Sequence, residues 1–240
     1  DFCLSRGLGD VYKRQSDQKR AAAEAAAALV QSGMAVGLGT GSTAYFAIAA
    51  LVRRVRDEGL RIVAIPTSER SAVQAREGGI PLTDFSSHPR LDLTIDGADE
   101  IAGGSLDLVK GLGGALLREK IVAAASAREI IVADAGKLVD RLGHRAPVPV
   151  EVTPWGWEST AARITRLGAR VTRREADGAA FVSDGGNLIL DCAFGPIEDP
   201  RALDLALHAV VGVIETGLFI GLATEAFVAS DEGVQHLEAR

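Results

Sequence analysis

Apolar positions in this chain follow two rhythms. Short β-branched runs are closed by glycine or polar turns, and longer alanine- and leucine-rich stretches carry helical spacing. Ser16-Asp17 reads as the N-cap of an alanine-rich helix that runs to about Gln31 and is stopped by Gly33. Residues 34–38 form a strand and residues 44–56 a helix. Residues 61–65 form a second strand, and Thr67-Ser68 at its end opens a helix over 71–77. A short strand or bend at 80–82 precedes a strand at 91–95. Residues 106–109 are again apolar, 115–125 form a helix apolar on nearly every side, and 129–133 form a strand. Strands alternating with helices predict a parallel α/β sheet.

The rhythm changes after Leu142. A strand at 147–152, a helix at 157–167, strands at 170–174 and 187–192, a helix at 201–210 and a strand at 213–216 give the order βαββαβ. That order is ferredoxin-like. Few polar residues cluster in it, so it reads as a packing, lid or oligomerisation unit. The segments 217–222 and 225–229 read as strands returning to the first unit, with a frayed end. The expected architecture is therefore α/β: a Rossmann-like parallel-sheet domain (residues 16–142 with 216–240) and an inserted α+β ferredoxin-like domain (143–215). Residues 1–15 do not read as the start of a domain; they have neither an initiator Met nor the features of a signal peptide, and are expected to be extraneous or disordered.

Composition narrows the function classes. At 240 residues, 47% hydrophobic and 24% charged, the chain fits a globular protein with a real core. No apolar run approaches the roughly 20 residues of a membrane span. A net charge of −6 argues against general nucleic-acid binding while allowing a local basic pocket. The two cysteines, Cys3 and Cys192, make no disulfide framework, and the four histidines are scattered, so no metal motif is visible and a reducing cytoplasm fits. Only five of the 26 basic residues are lysines, and Lys110, Lys120 and Lys137 fall close together, a hint that these positions want a compact ammonium.

Two stretches carry candidate chemistry. In the first, a strand runs into Gly39-Thr-Gly-Ser-Thr43 and then a helix, an arrangement whose unpaired N–H groups and helix dipole favour an anion. The glycine spacing Gly37-x-Gly39-x-Gly41 is not that of a dinucleotide fold, and no lone ribose-binding acid follows the next strand, so phosphate is favoured over a nicotinamide cofactor. In the second, Asp96-Gly-Ala-Asp-Glu100 crowds three carboxylates beyond a strand end, just before Lys110-Gly-Leu-Gly-Gly-Ala-Leu-Leu-Arg-Glu-Lys120. Glu119 has apolar neighbours one helical turn away on both sides, which desolvates a carboxylate, raises its pKa and suits a general base. Arg118 and Lys120 have apolar neighbours too, so spacing alone does not single out Glu119, and an internal ion pair is an equal reading.

These blocks resemble ribose-5-phosphate isomerase of the A type. The resemblance rests on Gly37 to Thr43, Asp96 to Glu100, Lys110 to Lys120, Ala133-Asp-Ala-Gly-Lys137, Val148-Pro-Val-Glu-Val152 and Ser183-Asp-Gly-Gly-Asn-Leu-Ile-Leu-Asp191. It implies a sugar-phosphate isomerase (an intramolecular oxidoreductase) of the pentose phosphate pathway that interconverts D-ribose 5-phosphate and D-ribulose 5-phosphate without metal or organic cofactor. By position, Glu119 is the implied proton acceptor; the chemistry of the isomerisation then suggests Lys110, with loop N–H groups, at the enediolate oxygen and Asp96 as an aid to ring opening and proton movement between O1 and O2. Substrate contacts carry over to Thr40, Gly41, Ser42 and Thr43, to Asp96, Gly97, Ala98 and Asp99, to Lys110, Gly111, Leu112 and Gly113, and to Lys137. Lys137 is left open between phosphate and oxyanion. The departures are Leu112 and Gly136, where glycine and serine are common. A homodimer or homotetramer is implied, with a sugar phosphate as small-molecule partner. Rival readings are a sugar-phosphate sensor, a CoA-transferase and an amino-sugar phosphate deaminase.

Overall fold

The computed structural model describes residues 2–239, with side chains described from Lys13 onward. The first helix, α1, spans Phe2–Ala27, so Ser16-Asp17 lie inside it instead of capping it. Serine and aspartate inside a helix cost only a few tenths of a kcal/mol, and the chain before them continues the helical bonding. The helix stops four residues before Gln31 because Leu29 and Val30 donate to carbonyls three residues back, tightening the last turn. The expectation that residues 1–15 stand apart lies mostly outside the described side chains, although Arg14 pairs with Asp231 at 2.9 Å.

The elements that follow build the main sheet: β1 (Ala35–Leu38), α2 (Ser42–Glu58), β2 (Val63–Pro66), α3 (Glu69–Glu77) and β3 (Leu93–Asp96). The Ser68 hydroxyl caps α3 by accepting from the Ser71 N–H. Next come β4 (Glu100–Ala102), β5 (Leu108–Val109), α4 (Leu116–Ala124), β6 (Glu129–Asp134), a 3₁₀ turn at Ala135–Lys137, and β7 (Leu138–Val139). The second half adds β8 (Val148–Val152), α5 (Trp157–Arg166), β9 (Arg170–Arg173), β10 (Glu175–Ala176), β11 (Ala179–Ala180), β12 (Leu188–Ala193), α6 (Pro200–His208) and β13 (Val213–Thr216). The chain closes with β14 (Leu218–Phe219), β15 (Glu225–Ser230) and β16 (Gly233–Glu238).

Six strands form the main sheet in the order β16-β15-β6-β3-β1-β2, parallel except for the β15–β16 hairpin. Parallel strands are covered on both faces and read as continuous apolar runs. Accordingly, Val36, Leu38, Leu93, Ile95, Ile130 and Val132 pack with α1 and α2 on one side. Ile131, Ala133 and Val228 pack with Phe219 and Leu108 on the other. The order β13-β8-β12-β9 makes a second, antiparallel sheet with the strand arrangement of a ferredoxin-like unit.

Three features depart from the sequence expectations. The apolar stretch at 106–109 and the segment after Thr216 do not enter the main sheet directly; they join a small mixed sheet, β14-β5-β4-β7. Its strands are two or three residues long, too short for periodicity to show. The turn between β9 and β12 contains a small hairpin, β10–β11. Residues 233–238 do not fray, because β16 pairs with β15 along its whole length.

Candidate active site

Three strand ends, those of β1, β2 and β3, lie level along one edge of the main sheet, and β6 runs on past them to Asp134. Leu38 of β1 is in register with Pro66 of β2 and Ile95 of β3, and Asp96 of β3 with Ile131 of β6. The segments that leave this edge are Gly39–Gly41, Thr67-Ser68, Gly97–Asp99 and the 3₁₀ turn. In open α/β sheets this carboxyl edge is where ligands bind.

Asp96 ends β3 and is fully buried. Its Oδ1 accepts from the Thr40 N–H at 3.0 Å and the Gly97 N–H at 2.7 Å, and its Oδ2 lies 3.0 Å from Lys110 Nζ. Gly39 is required here, since a Cβ on it would overlap the Asp96 carboxylate. Lys110 is 2% exposed. Its ammonium also donates to the Gly97 carbonyl at 2.5 Å and lies 3.4 Å from Glu119 Oε2. Glu119 sits in the first turn of α4 and is 3% exposed.

The spacing ambiguity within α4 is thereby resolved. Glu119 turns inward, Arg118 turns out to Glu69 at 3.0 Å and Asp184 at 3.6 Å, and Lys120 pairs with Glu215 at 2.6 Å. Ile121 is exposed, so this largely apolar helix is not buried on every side. Glu100 leaves the carboxylate group of its motif. It accepts the N–H groups of Gly143, Arg145 and Ala146 and so organises a loop. Asp99 accepts from the Leu112 N–H at 2.9 Å and anchors the glycine loop.

Charge in the cluster is unevenly matched. Glu129, at the start of β6, is buried and both its carboxylate oxygens lack a hydrogen-bond partner. One ammonium thus faces Asp96, Glu119 and Glu129. Burial pushes the Glu119 carboxyl up to about 8; Lys110 opposes this, and repulsion from Asp96 adds to it. Burial and then Asp96 hold Glu129 well above the carboxylate range. Burial alone would lower Lys110, but attraction from Asp96, Glu119 and Glu129 outweighs it and keeps the ammonium charged. For Asp96, burial raises the carboxyl against Lys110 and the two N–H donors.

A recess of about 90 Å³ opens on this cluster, lined by Glu119, Lys110, Asp99 and residues of the Gly41–Thr43, Gly97-Ala98 and Gly111–Gly113 segments. Lys137 and Lys19 complete it. Helix α2 begins at its mouth with Gly41 as N-cap and no side-chain cap, so its first-turn N–H groups face the recess unsatisfied. The Thr40 hydroxyl is tied to Thr67 at 2.7 Å and Ser68 at 2.8 Å, which fixes the loop beneath the recess. A more capacious hollow, about 640 Å³, lies by Met34, Leu60 and His88 and contains no carboxylate–ammonium pair. Chemistry, not volume, selects the smaller recess.

Of the residues expected from the sequence, Asp96 and Leu112 do not line the recess; Asp96 lies sealed behind Lys110. Lys19 and Glu129 were not expected. Lys19 reaches from α1 to the Ser42 hydroxyl at 3.1 Å, and the scarcity of lysine was the signal that could have found it. Glu129 had no signal beyond a charged residue opening an apolar strand.

A parallel sheet whose carboxyl edge carries a buried carboxylate–ammonium cluster beside an uncapped helix N-terminus defines an α/β protein built for a small anionic substrate. The model of the family ribose 5-phosphate isomerase A (phosphoriboisomerase A) matches residues 63–233. The ribose-5-phosphate isomerase A of Synechococcus sp. (strain JA-3-3Ab) is 58% identical over 220 residues, covering 91% of this chain and 96% of that one. The solved ribose 5-phosphate isomerase A of Methanocaldococcus jannaschii superposes with a TM-score of 0.89 at 35% identity, covering 92% of this chain and 98% of that one. A D-ribose-5-phosphate isomerase in complex with phospho-erythronic acid matches equally well, with a TM-score of 0.89 at 35% identity and the same coverage. The chain belongs to the ribose 5-phosphate isomerase A family.

Proposed function

We propose that this protein interconverts D-ribose 5-phosphate and D-ribulose 5-phosphate, with Glu119 as the general base. The observation that carries the reading is a buried, high-pKa carboxylate 3.4 Å from a buried ammonium, at the floor of a recess flanked by an uncapped helix N-terminus. The phosphate sits against the first-turn N–H groups of α2 with Lys19 and Ser42 beside it. Lys137 closes the same wall.

Glu119 takes the proton from C2 of the open-chain aldose. The C–H electron pair becomes the C1–C2 double bond and the carbonyl pair moves onto O1, where the Lys110 ammonium meets the charge. The O2 hydroxyl proton then passes to O1 beside the Lys110 ammonium, which Asp96 at 3.0 Å keeps charged. Glu119 returns its proton to C1, and the ketose leaves with no net gain or loss of atoms. Phospho-erythronic acid, held by a relative, carries a carboxylate at the end of a sugar-phosphate chain, a planar anion like the enediolate. Asp99 and the Gly97-Ala98 segment orient the hydroxyls.

A cytoplasmic setting fits the free, buried thiol of Cys192, and among the described residues no helix is long and apolar enough to cross a membrane. Association into a homodimer or homotetramer has exposed apolar side chains available in Trp155, Leu205 and Val211 of the antiparallel unit; light scattering after size exclusion tests it. The test of function is ketose formation from D-ribose 5-phosphate, with and without EDTA, beside the Glu119→Gln protein. Turnover that ignores EDTA and falls by roughly 10²–10⁴ in the variant supports the reading. Saturable binding without turnover contradicts it and marks a sensor.

A further inference from the structure

The segment from Lys110 to Gly114 carries Lys110 at one end and leads into α4, with Glu119, at the other. Three of its five residues are glycine, and such a segment has little intrinsic preference for one conformation. Its backbone is nevertheless held at several points. The Lys110 N–H donates to the Gly217 carbonyl at 2.8 Å, the Gly114 N–H to Gly111 at 3.0 Å, and the Leu112 N–H to Asp99.

The remaining hold comes from the antiparallel unit. Arg174 Nη1 donates to the carbonyls of both Gly111, at 2.8 Å, and Leu112, at 3.0 Å. The other side of the same guanidinium is a two-point pair with Asp191 of β12: Nε to Oδ2 at 3.0 Å, and Nη2 to Oδ1. The Arg174 backbone is fixed as well. Its N–H donates to Ile189 at 2.8 Å, and its carbonyl accepts from Phe181 at 2.9 Å. Phe181 in turn lies against the loop. Gly114 has a φ of +83°, and a Cβ there would overlap the Phe181 ring. With two consecutive loop carbonyls turned toward Arg174, the N–H groups of Gly111 and Gly113 are left without a protein acceptor among the described residues, and both glycines line the recess.

We propose that Arg174 is a positioning residue for the isomerase reaction. It holds the glycine loop in the one conformation that presents Lys110 and the loop N–H groups to the enediolate oxygen. This rests on the function proposed above. A planar guanidinium is needed, because one group must chelate a carboxylate along one edge and bridge two carbonyls at its end; a lysine ammonium keeps the charge but loses the fork. The antiparallel unit thus contributes to catalysis without touching substrate.

The test compares wild type, Arg174→Ala and Arg174→Lys in kcat and KM for D-ribose 5-phosphate, with methylguanidinium added to the alanine protein. Amide exchange of residues 110–114 is followed in all three. A misplacement of about 1 Å can cost about 10²-fold, so kcat is expected to fall roughly 10- to 10²-fold in both variants, with KM moved less than about threefold. Loop exchange is expected to quicken in both, and methylguanidinium to restore part of kcat to Arg174→Ala. If the alanine protein does not fold, the lysine protein decides. Arg174→Lys with wild-type kcat and wild-type loop exchange overturns the proposal, as does a change confined to KM. A wild type inactive on ribose 5-phosphate overturns the functional reading instead, and loop exchange then decides the role of Arg174 separately.

Discussion

Glu119 and Lys120 are consecutive residues of one helix, yet their side chains enter two clusters of opposite character. Glu119 joins Asp96, Lys110 and Glu129, a group almost sealed from water in which one ammonium faces three carboxylates and both oxygens of Glu129 lack a partner. Lys120 joins Glu215, Thr216, Asp204 and His208, a group only partly open to water in which each side chain has a partner. Lys120 meets Glu215 at 2.6 Å, His208 Nε2 meets the same oxygen at 3.0 Å, and Thr216 donates to Asp204 at 2.5 Å. Both ammoniums lie over the Phe219 ring, at 5.4 and 5.0 Å from its centre, so one aromatic side chain touches both groups.

The difference separates chemistry from cohesion. Buried, mismatched charge raises carboxyl pKa values and leaves a base ready to take a proton. Fully partnered side chains at the rim tie α4 to β13 and α6. Asp204, His208 and Glu215 also offer ligand atoms within 4.8 Å of one another, as a metal site would, but the Lys120 ammonium already occupies Glu215.

Substitutions in the two clusters sharpen this contrast. The largest effect in this set belongs to Lys110→Ala, which is expected to lower kcat by roughly 10²–10³, as loss of an oxyanion donor does. Stopped-flow or coupled assays check it, and an effect confined to KM would place Lys110 among uniform binding groups. Lys19→Ala removes the ammonium proposed to meet the phosphate and is expected to raise KM roughly tenfold with kcat little changed.

Stability reports the same mismatch. Glu129→Leu replaces an unpartnered buried carboxyl and is expected to raise the unfolding free energy by about 1–3 kcal/mol in urea titrations. Glu119 titrates near 8 when folded and near 4.5 when free. The folded state therefore binds more protons between these values, and stability falls as pH rises from about 4.5 through about 8. Glu119→Gln flattens that fall, as melting curves across the range will show. The smallest effect belongs to the matched cluster. Lys120→Met is expected to cost on the order of 1 kcal/mol of stability and to leave kcat within about threefold. A loss of kcat as large as that of Lys110→Ala would erase the distinction between the clusters.

Much of this was legible in the sequence because it is local. The strand–glycine–helix signal at residues 34–56 marked the loop that lines the recess, and the βαββαβ order placed the second sheet. Motifs just before α4 and running into it brought Asp96, Lys110 and Glu119 forward together. What stayed hidden depends on long-range register. Three inward candidates in a row, Arg118, Glu119 and Lys120, are equivalent by spacing; only the positions of Glu69, Glu215 and Lys110 in space separate them. Glu100 looks like a site residue in a run of acids, and only the fold shows its carboxylate turned to the N–H groups of the 143–146 loop. Lys19 is far from the other site residues in sequence and meets Ser42 through helix packing. Strands as short as β5, β7 and β14 carry no period to read.

The most direct test of Glu119 as base is the pH dependence of kcat/KM for D-ribose 5-phosphate, which reports the ionisation of the free enzyme. A base whose carboxyl lies at about 8 predicts a rate that rises with pH up to that value and is level above it. A rate already level from pH 6 to 9, or one governed by a group near the ordinary carboxylate value of about 4.3, would contradict the assignment.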